Sequence, residues 1–171
     1  MSQLAVRELT AADIPKLLTY WYTASPEYMQ SMGADIKLLP ARKDFEASLK
    51  KQLETDYPYK HAYATIWLMN GNAVGHCNVN KIDFGNKAHM HLHMWNSDSR
   101  KKGMGAELVK MSLPFFFKNL QLIKLICEPY SKNIAPNKTL AKAGFTFIKN
   151  YVTTPGALNF EQEVSRWELE R

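Results

Sequence analysis

Lys87-Ala88-His89-Met90-His91-Leu92-His93-Met94-Trp95, followed by Asn96-Ser97-Asp98-Ser99-Arg100-Lys101-Lys102-Gly103-Met104-Gly105-Ala106, organises the reading of this chain. Its first nine residues alternate histidine with apolar residues, the period of a half-buried strand that carries His89, His91 and His93 on one face. After a loop at 96–103, Met104, Leu108, Met111 and Phe115 recur at helical spacing. Pro114 is expected to kink or shorten the last turns of that helix. The stretch is therefore strand, glycine-bearing loop, helix.

Downstream, Leu122 to Glu128 reads as a short apolar strand inside a sheet. A helix then runs to Ala143, with Gly144 as the residue that ends it. Phe145 to Thr153 and Val164 to Leu169 are further strands. Upstream, Asn70-Gly71 is a hairpin turn between strands at Tyr63–Met69 and Ala73–Lys81, and Gly85-Asn86 turns the chain into the histidine strand. A strand at Leu4–Leu9 meets Thr10-Ala11-Ala12-Asp13, a capping-box start for a helix to about Tyr22. Phe45, Leu49 and Leu53 mark a second helix. The order β-α-α-β-β-β-α-β-α-β-β is that of an α/β protein with a mixed sheet, read as one domain over 1–171.

Composition narrows the classes. The 171 residues include 22 Lys and Arg against 16 Asp and Glu, a formal charge of +6 that favours an anionic partner. The basic clusters are short, Arg100-Lys101-Lys102 and Lys50-Lys51, whereas a nucleic-acid binder usually carries a longer basic stripe. Cys77 and Cys127 lack metal or redox spacing and read as core residues of a reducing compartment. No apolar run approaches the ~18 residues of a membrane span, and the start has no signal-peptide layout. A soluble cytoplasmic domain without membrane or nucleic-acid partners is expected.

The loop Arg100 to Ala106 has the chemistry of an anion site. Glycines admit close backbone approach, and the helix start offers unpaired N–H groups and the positive end of its dipole. With three adjacent cations, that suits a pyrophosphate. By itself the loop equally fits an ordinary glycine-containing helix start.

Arg-x-x-Gly-x-Gly/Ala at a strand-to-helix junction resembles the acyl-CoA pyrophosphate loop of the GNAT superfamily of N-acetyltransferases. Asn133, followed by a helix ending in Lys142-Ala143-Gly144-Phe145, is similar to that superfamily's second signature. The resemblance covers essentially the whole chain. Within the superfamily, RimJ/RimL-like in type, two groups are nearest. Aminoglycoside N-acetyltransferases share Lys-Ala-Gly-Phe and a run like Val152-Thr153-Thr154-Pro155-Gly156. Siderophore N-acyltransferases resemble His91-Leu92 and Glu128-Pro129 with a following Asn at Asn133.

The resemblance implies a mostly antiparallel sheet, splayed between its fourth and fifth strands and flanked by about four helices. It implies acetyl-CoA as co-substrate, with no metal. The pantetheine arm would pair with backbone near Met94 and Trp95. The N–H groups of Lys102, Gly103, Met104, Gly105 and Ala106 would hold the pyrophosphate, with Arg100 and Lys101 at its rim. Asn133 would bind the arm, and Lys138 a phosphate.

Amine attack on a thioester needs a base and an acid for the leaving thiolate, and histidine has a suitable pKa. His91, which matches the siderophore group, is the first candidate base, with Glu128 as its orienting partner or substitute. Tyr130 stands where that group has Asp and is a candidate acid. Leu140 stands where many members have the tyrosine that protonates the thiolate. His-x-His is also a metal spacing, but no third-ligand motif accompanies it.

The acceptor is expected to be a primary or hydroxylamine-type amine of a small molecule or peptide. Two aromatic-rich stretches, Trp21, Tyr22 and Tyr28, and then Tyr57, Tyr59 and Tyr63, are expected at its pocket or in ordinary helix packing. A polycationic aminoglycoside wants an acidic groove, which this basic chain does not promise. Segment 155–163 reads as a pocket wall or a homodimer edge. A CoA-binding sensor without transfer is the competing class.

Overall fold

The computed structural model describes residues 2–96 and 103–171. Seven strands, β1 (Leu4–Glu8), β2 (Ala62–Met69), β3 (Asn72–Asp83), β4 (Lys87–Met94), β5 (Lys124–Cys127), β6 (Thr146–Thr153) and β7 (Gln162–Glu170), form one sheet in the order β1-β2-β3-β4-β5-β7-β6. Every pairing is antiparallel except β4 with β5. That parallel pairing covers only Lys87–His89 against Lys124–Ile126. Beyond His89 the two strands part, which is the splay that the family resemblance implied.

Five α-helices are described: α1 (Ile14–Thr23), α2 (Pro26–Ser31), α3 (Arg42–Glu54), α4 (Met104–Asn119) and α5 (Ile134–Lys142). Sequence reasoning missed α2. Ser25 caps it, its Oγ accepting from the Tyr28 N–H at 3.1 Å, and Pro26 takes the first position, where a missing N–H costs nothing. The expected cap at Thr10 holds. The Asp13 carboxylate accepts from the Thr10 N–H at 2.9 Å and from both ends of the Arg7 guanidinium.

Neighbouring residues of a strand point to opposite sides, so Ile66 and Trp67 belong to two different cores. On one side Trp67, Met90 and Leu125 pack with Leu108, Val109 and Phe116 of α4 and Leu140 of α5. On the other, Ile66 packs with Leu17, Trp21 and Met29 of α1 and α2. Ser112 is fully buried in the first core, bound to Trp67 Nε1 at 2.9 Å and Thr65 Oγ1 at 3.1 Å. It donates to its own Leu108 carbonyl.

Two expectations for α4 need correction. Its buried stripe is Leu108, Val109, Ser112 and Phe116, and Met111 is exposed. Pro114 does not shorten it: the helix continues to Asn119, with the proline on the exposed side.

Candidate active site

Where β4 leaves β5, backbone groups lose their sheet partner. The ladder with β3 ties the Trp95 N–H to the Val74 carbonyl at 2.9 Å. Alternation in an antiparallel pair then turns the N–H and C=O of Leu92 and Met94 toward the gap. Met94 therefore presents its main-chain groups to the gap, whereas the Trp95 N–H faces β3 and its indole donates to His76 Nδ1 at 2.7 Å. Leu92, two residues before Met94, is the group that sequence reasoning missed.

Two cavities meet at this gap. The smaller, about 290 Å³, lies between the starts of α4 and α5 and is lined by Gly103, Gly105, Ala106, Asn133, Lys138 and Thr139. Gly103 caps α4 with φ +88°, a left-handed conformation natural to glycine. A Cβ on Gly105 would sit 3.4 Å from Thr139 Oγ1, so α4 and α5 lie within side-chain contact beside the groove. Met104 begins the helix and is half-buried. Arg100, Lys101 and Lys102 lie outside the described residues.

Asn133 precedes α5 and lines both cavities. Its main chain is fixed by the Tyr130 carbonyl, while its side-chain amide makes no hydrogen bond among the described residues. That amide, the helix N-terminus and the turned-out groups of Leu92 and Met94 fit an amide-bearing arm that ends in phosphates.

The larger cavity, about 610 Å³, opens on the α1–α3 side of the sheet. Its polar wall is part of a cross-strand ladder, with His76 opposite His93, Asn78 opposite His91, and Asn80 at its end. Counting outward from the turn at 84–86 would set Lys81, Val79 and Cys77 opposite the three histidines; an irregularity between Asn80 and Asp83 shifts the register by one, which hid Asn80, Asn78 and His76 from sequence reasoning. His91 is half-buried, with Nε2 3.0 Å from Asn80 Oδ1, and desolvation pulls its pKa down to about 4. His76 falls to about 3 for the same reason. Because an indole N–H only donates, His76 Nδ1 accepts and its proton sits on Nε2. His93 stacks on His76, 4.7 Å between centroids, and lines both cavities.

Glu128 is not the partner of His91. Its carboxylate accepts from Tyr151 Oη and from Arg166 Nη1 at 3.0 Å, and the nearest imidazole is His89, at 3.8 Å. The reason is the place where the sheet opens: β5 still pairs with β4 at His89 and has left it by His91. Glu128 and Tyr130 both line the larger cavity. The Tyr130 ring packs edge-on against Phe160, and its hydroxyl has no partner among the described residues.

The aromatic candidates separate. Trp21 lines the larger cavity and Tyr28 the smaller. Tyr22 lines neither and donates to the Pro40 carbonyl at 2.6 Å. Tyr57 and Tyr63 both donate to Glu8 Oε1 at 2.5 Å, while Tyr59 is exposed. Residues 155–159 form a wall of the larger cavity. Leu140 is completely buried beneath the sheet, so its position offers no group to the groove. No cluster of three metal-ligating side chains occurs among the described residues.

This split sheet, with a glycine-started helix on one side and a histidine-lined cavity on the other, belongs to an acyltransferase that draws its acyl group from a CoA thioester. A family model described as Acetyltransferase (GNAT) domain matches residues 3–146, and the chain belongs to that family. It is an N-acetyltransferase with acetyl-CoA as co-substrate.

Solved structures share the fold. Spermidine N-acetyltransferase from Vibrio cholerae, in complex with CoA and spermine, superposes with a TM-score of 0.78 at 16% identity, covering 98% of this chain and 95% of that one. The ribosomal L7/L12 N-acetyltransferase RimL, in complex with CoA, gives 0.77 at 11%, covering 98% and 93%. Aminoglycoside acetyltransferase AAC(6')-Ib with CoA gives 0.73 at 16%, covering 99% and 95%. A comparison with curated proteins finds no match.

Proposed function

We propose that the acceptor is a monoamine with an apolar or hydrogen-bonding body, either a small molecule or a peptide end, acetylated by direct attack in a ternary complex. The observation that carries this reading is that the enclosed polar groups of the larger cavity are either uncharged or already hydrogen-bonded. Its polar wall is histidine and asparagine, the histidines held uncharged by burial. Its two enclosed carboxylates are already used: Glu128 by Arg166 and Tyr151, and Glu8 by Tyr57, Tyr63 and Asn119. Asp56 is exposed, and Lys60 adds a buried cation beside it. A second ammonium entering the enclosed part of this space finds no carboxylate without partners, since Asp56 lies at its exposed side, and an unpaired buried charge is costly.

The relatives named above take spermine, a ribosomal protein and aminoglycosides. This cavity favours the uncharged end of that range. On this reading the whole chain is one catalytic domain, its two free buried cysteines suit a reducing cytoplasm, and among the described residues no helix is long and apolar enough to cross a membrane.

The test is thiol release from acetyl-CoA with four acceptors: phenethylamine, a tripeptide with a free N-terminus, spermidine and kanamycin. Phenethylamine or the tripeptide is expected to lead in kcat/KM by about tenfold or more. A lead for spermidine or kanamycin would overturn the reading. Saturable acetyl-CoA binding with no transfer to any amine would favour the sensor instead, for which the buried Leu140 is the supporting observation.

A further inference from the structure

The position that many GNAT enzymes give to a tyrosine acid is core in this chain, yet a tyrosine hydroxyl does reach the CoA-side cavity from another element. Tyr20, on α1, lines that cavity and places its Oη 3.0 Å from His93 Nδ1. The same hydroxyl lies 3.2 Å from Tyr28 Oη and 3.6 Å from Met32 Sδ. His93 lines both cavities. Its ring is held on every side: stacked on His76, edge-on to Tyr20 at 5.6 Å and to Trp21 at 4.9 Å. The Trp95 indole in turn fixes His76.

We propose that His93 and Tyr20 form a proton relay across the split sheet, His93 serving as base to the amine and Tyr20 as acid to the thiolate. This rests on the acetyl-transfer reading above. The resting state has the His93 proton on Nδ1, donated to the Tyr20 oxygen, and Nε2 bare. As the amine nitrogen bonds to the acetyl carbonyl carbon, Nε2 takes its proton. The Nδ1 proton passes to the Tyr20 oxygen. The Tyr20 hydroxyl proton passes to the sulfur as the C–S bond breaks. One proton leaves the amine and one reaches the thiol, so the relay ends neutral.

The surroundings suit passage rather than storage of a proton. Burial, with the titratable neighbours His76 and His91 acting in the same direction, holds His93 well below the ordinary imidazole range and disfavours a lasting positive charge there. An imidazole held this way hands a proton on instead of keeping it. His91 then acts through Asn80 as part of the cavity wall.

Two measurements test the relay, one without turnover. Nitrogen NMR of the free, histidine-labelled protein, with His93→Gln identifying the resonance, should show Nδ1 protonated and Nε2 bare. A proton on Nε2 in the resting protein would overturn the proposal. In the second, Tyr20→Phe is compared with wild type using phenethylamine, or water where that amine is not taken. The donors are acetyl-CoA and the acetyl thioester of 4-nitrothiophenol, whose thiolate departs without a proton. Loss of about 30-fold or more with acetyl-CoA but about threefold or less with the activated thioester supports the relay. Equal losses, or none, reject it, whereas absence of turnover by wild type with every donor rejects the parent reading. Calorimetric CoA affinity of Tyr20→Phe should match wild type within about twofold, because Tyr20 acts in the transition state.

Discussion

The two cavities that meet at His93 are built from different materials. The smaller is made of main chain and missing side chains: the start of α4 at Gly103, the close approach at Gly105, the open edge of β4. The larger is made of side chains from β3, β4, the segment after β5 and the wall at 155–159. A backbone site recognises what every acyl donor shares, an amide arm and phosphates. A side-chain site can change its acceptor without disturbing the donor. The low identity to relatives of the same fold is what that division allows.

The largest expected effect tests the backbone cavity. Gly103→Trp puts an indole at its mouth and forces a side chain into φ +88°. Calorimetric titration of acetyl-CoA should show affinity lost by about 100-fold or more, whereas strain at an exposed helix cap should cost only about 1 kcal/mol of stability. Unchanged affinity would mean that the smaller cavity is not the donor site.

The same contrast explains how much could be read in advance. Gly103, Gly105 and Asn133 were legible because a glycine pattern at a helix start and a polar residue before a helix act through local backbone, which the sequence encodes within a few residues. The strand order and the splay came with the resemblance. The His91–Glu128 pair failed because it depends on where β5 stops pairing with β4, a register set by residues more than thirty positions apart. Tyr20 was hidden for a similar reason: it looks like one more apolar-face residue of α1 until α1 is laid over β4. Ser25-Pro26 carried a readable start for α2, but the helix is only six residues long and has little periodicity to detect.

An intermediate effect separates structure from chemistry in the side-chain cavity. Glu128→Gln keeps an acceptor for Tyr151 but removes the charge that Arg166 neutralises in a largely buried setting. Thermal unfolding should show a loss of about 2 kcal/mol, with kcat falling less than about threefold. A collapse of kcat by about 100-fold, with stability kept, would make Glu128 the base and move the chemistry from His93 toward His89.

Asn133→Ala is the smallest expected effect, and it sharpens the comparison most. His93 and Asn133 are the polar side chains that border both cavities, and of the pair only Asn133 has no side-chain partner among the described residues. Nothing inside the fold depends on its amide, so stability should change by less than about 0.5 kcal/mol. One hydrogen bond to the donor arm is worth about 1 kcal/mol, so acetyl-CoA should bind about fivefold more weakly. If the amide holds the donor only, KM for acetyl-CoA rises and KM for the amine stays put. If it also touches the acceptor, both rise together. The second outcome would show that the boundary between the two materials runs through Asn133, and that donor and acceptor recognition share a residue.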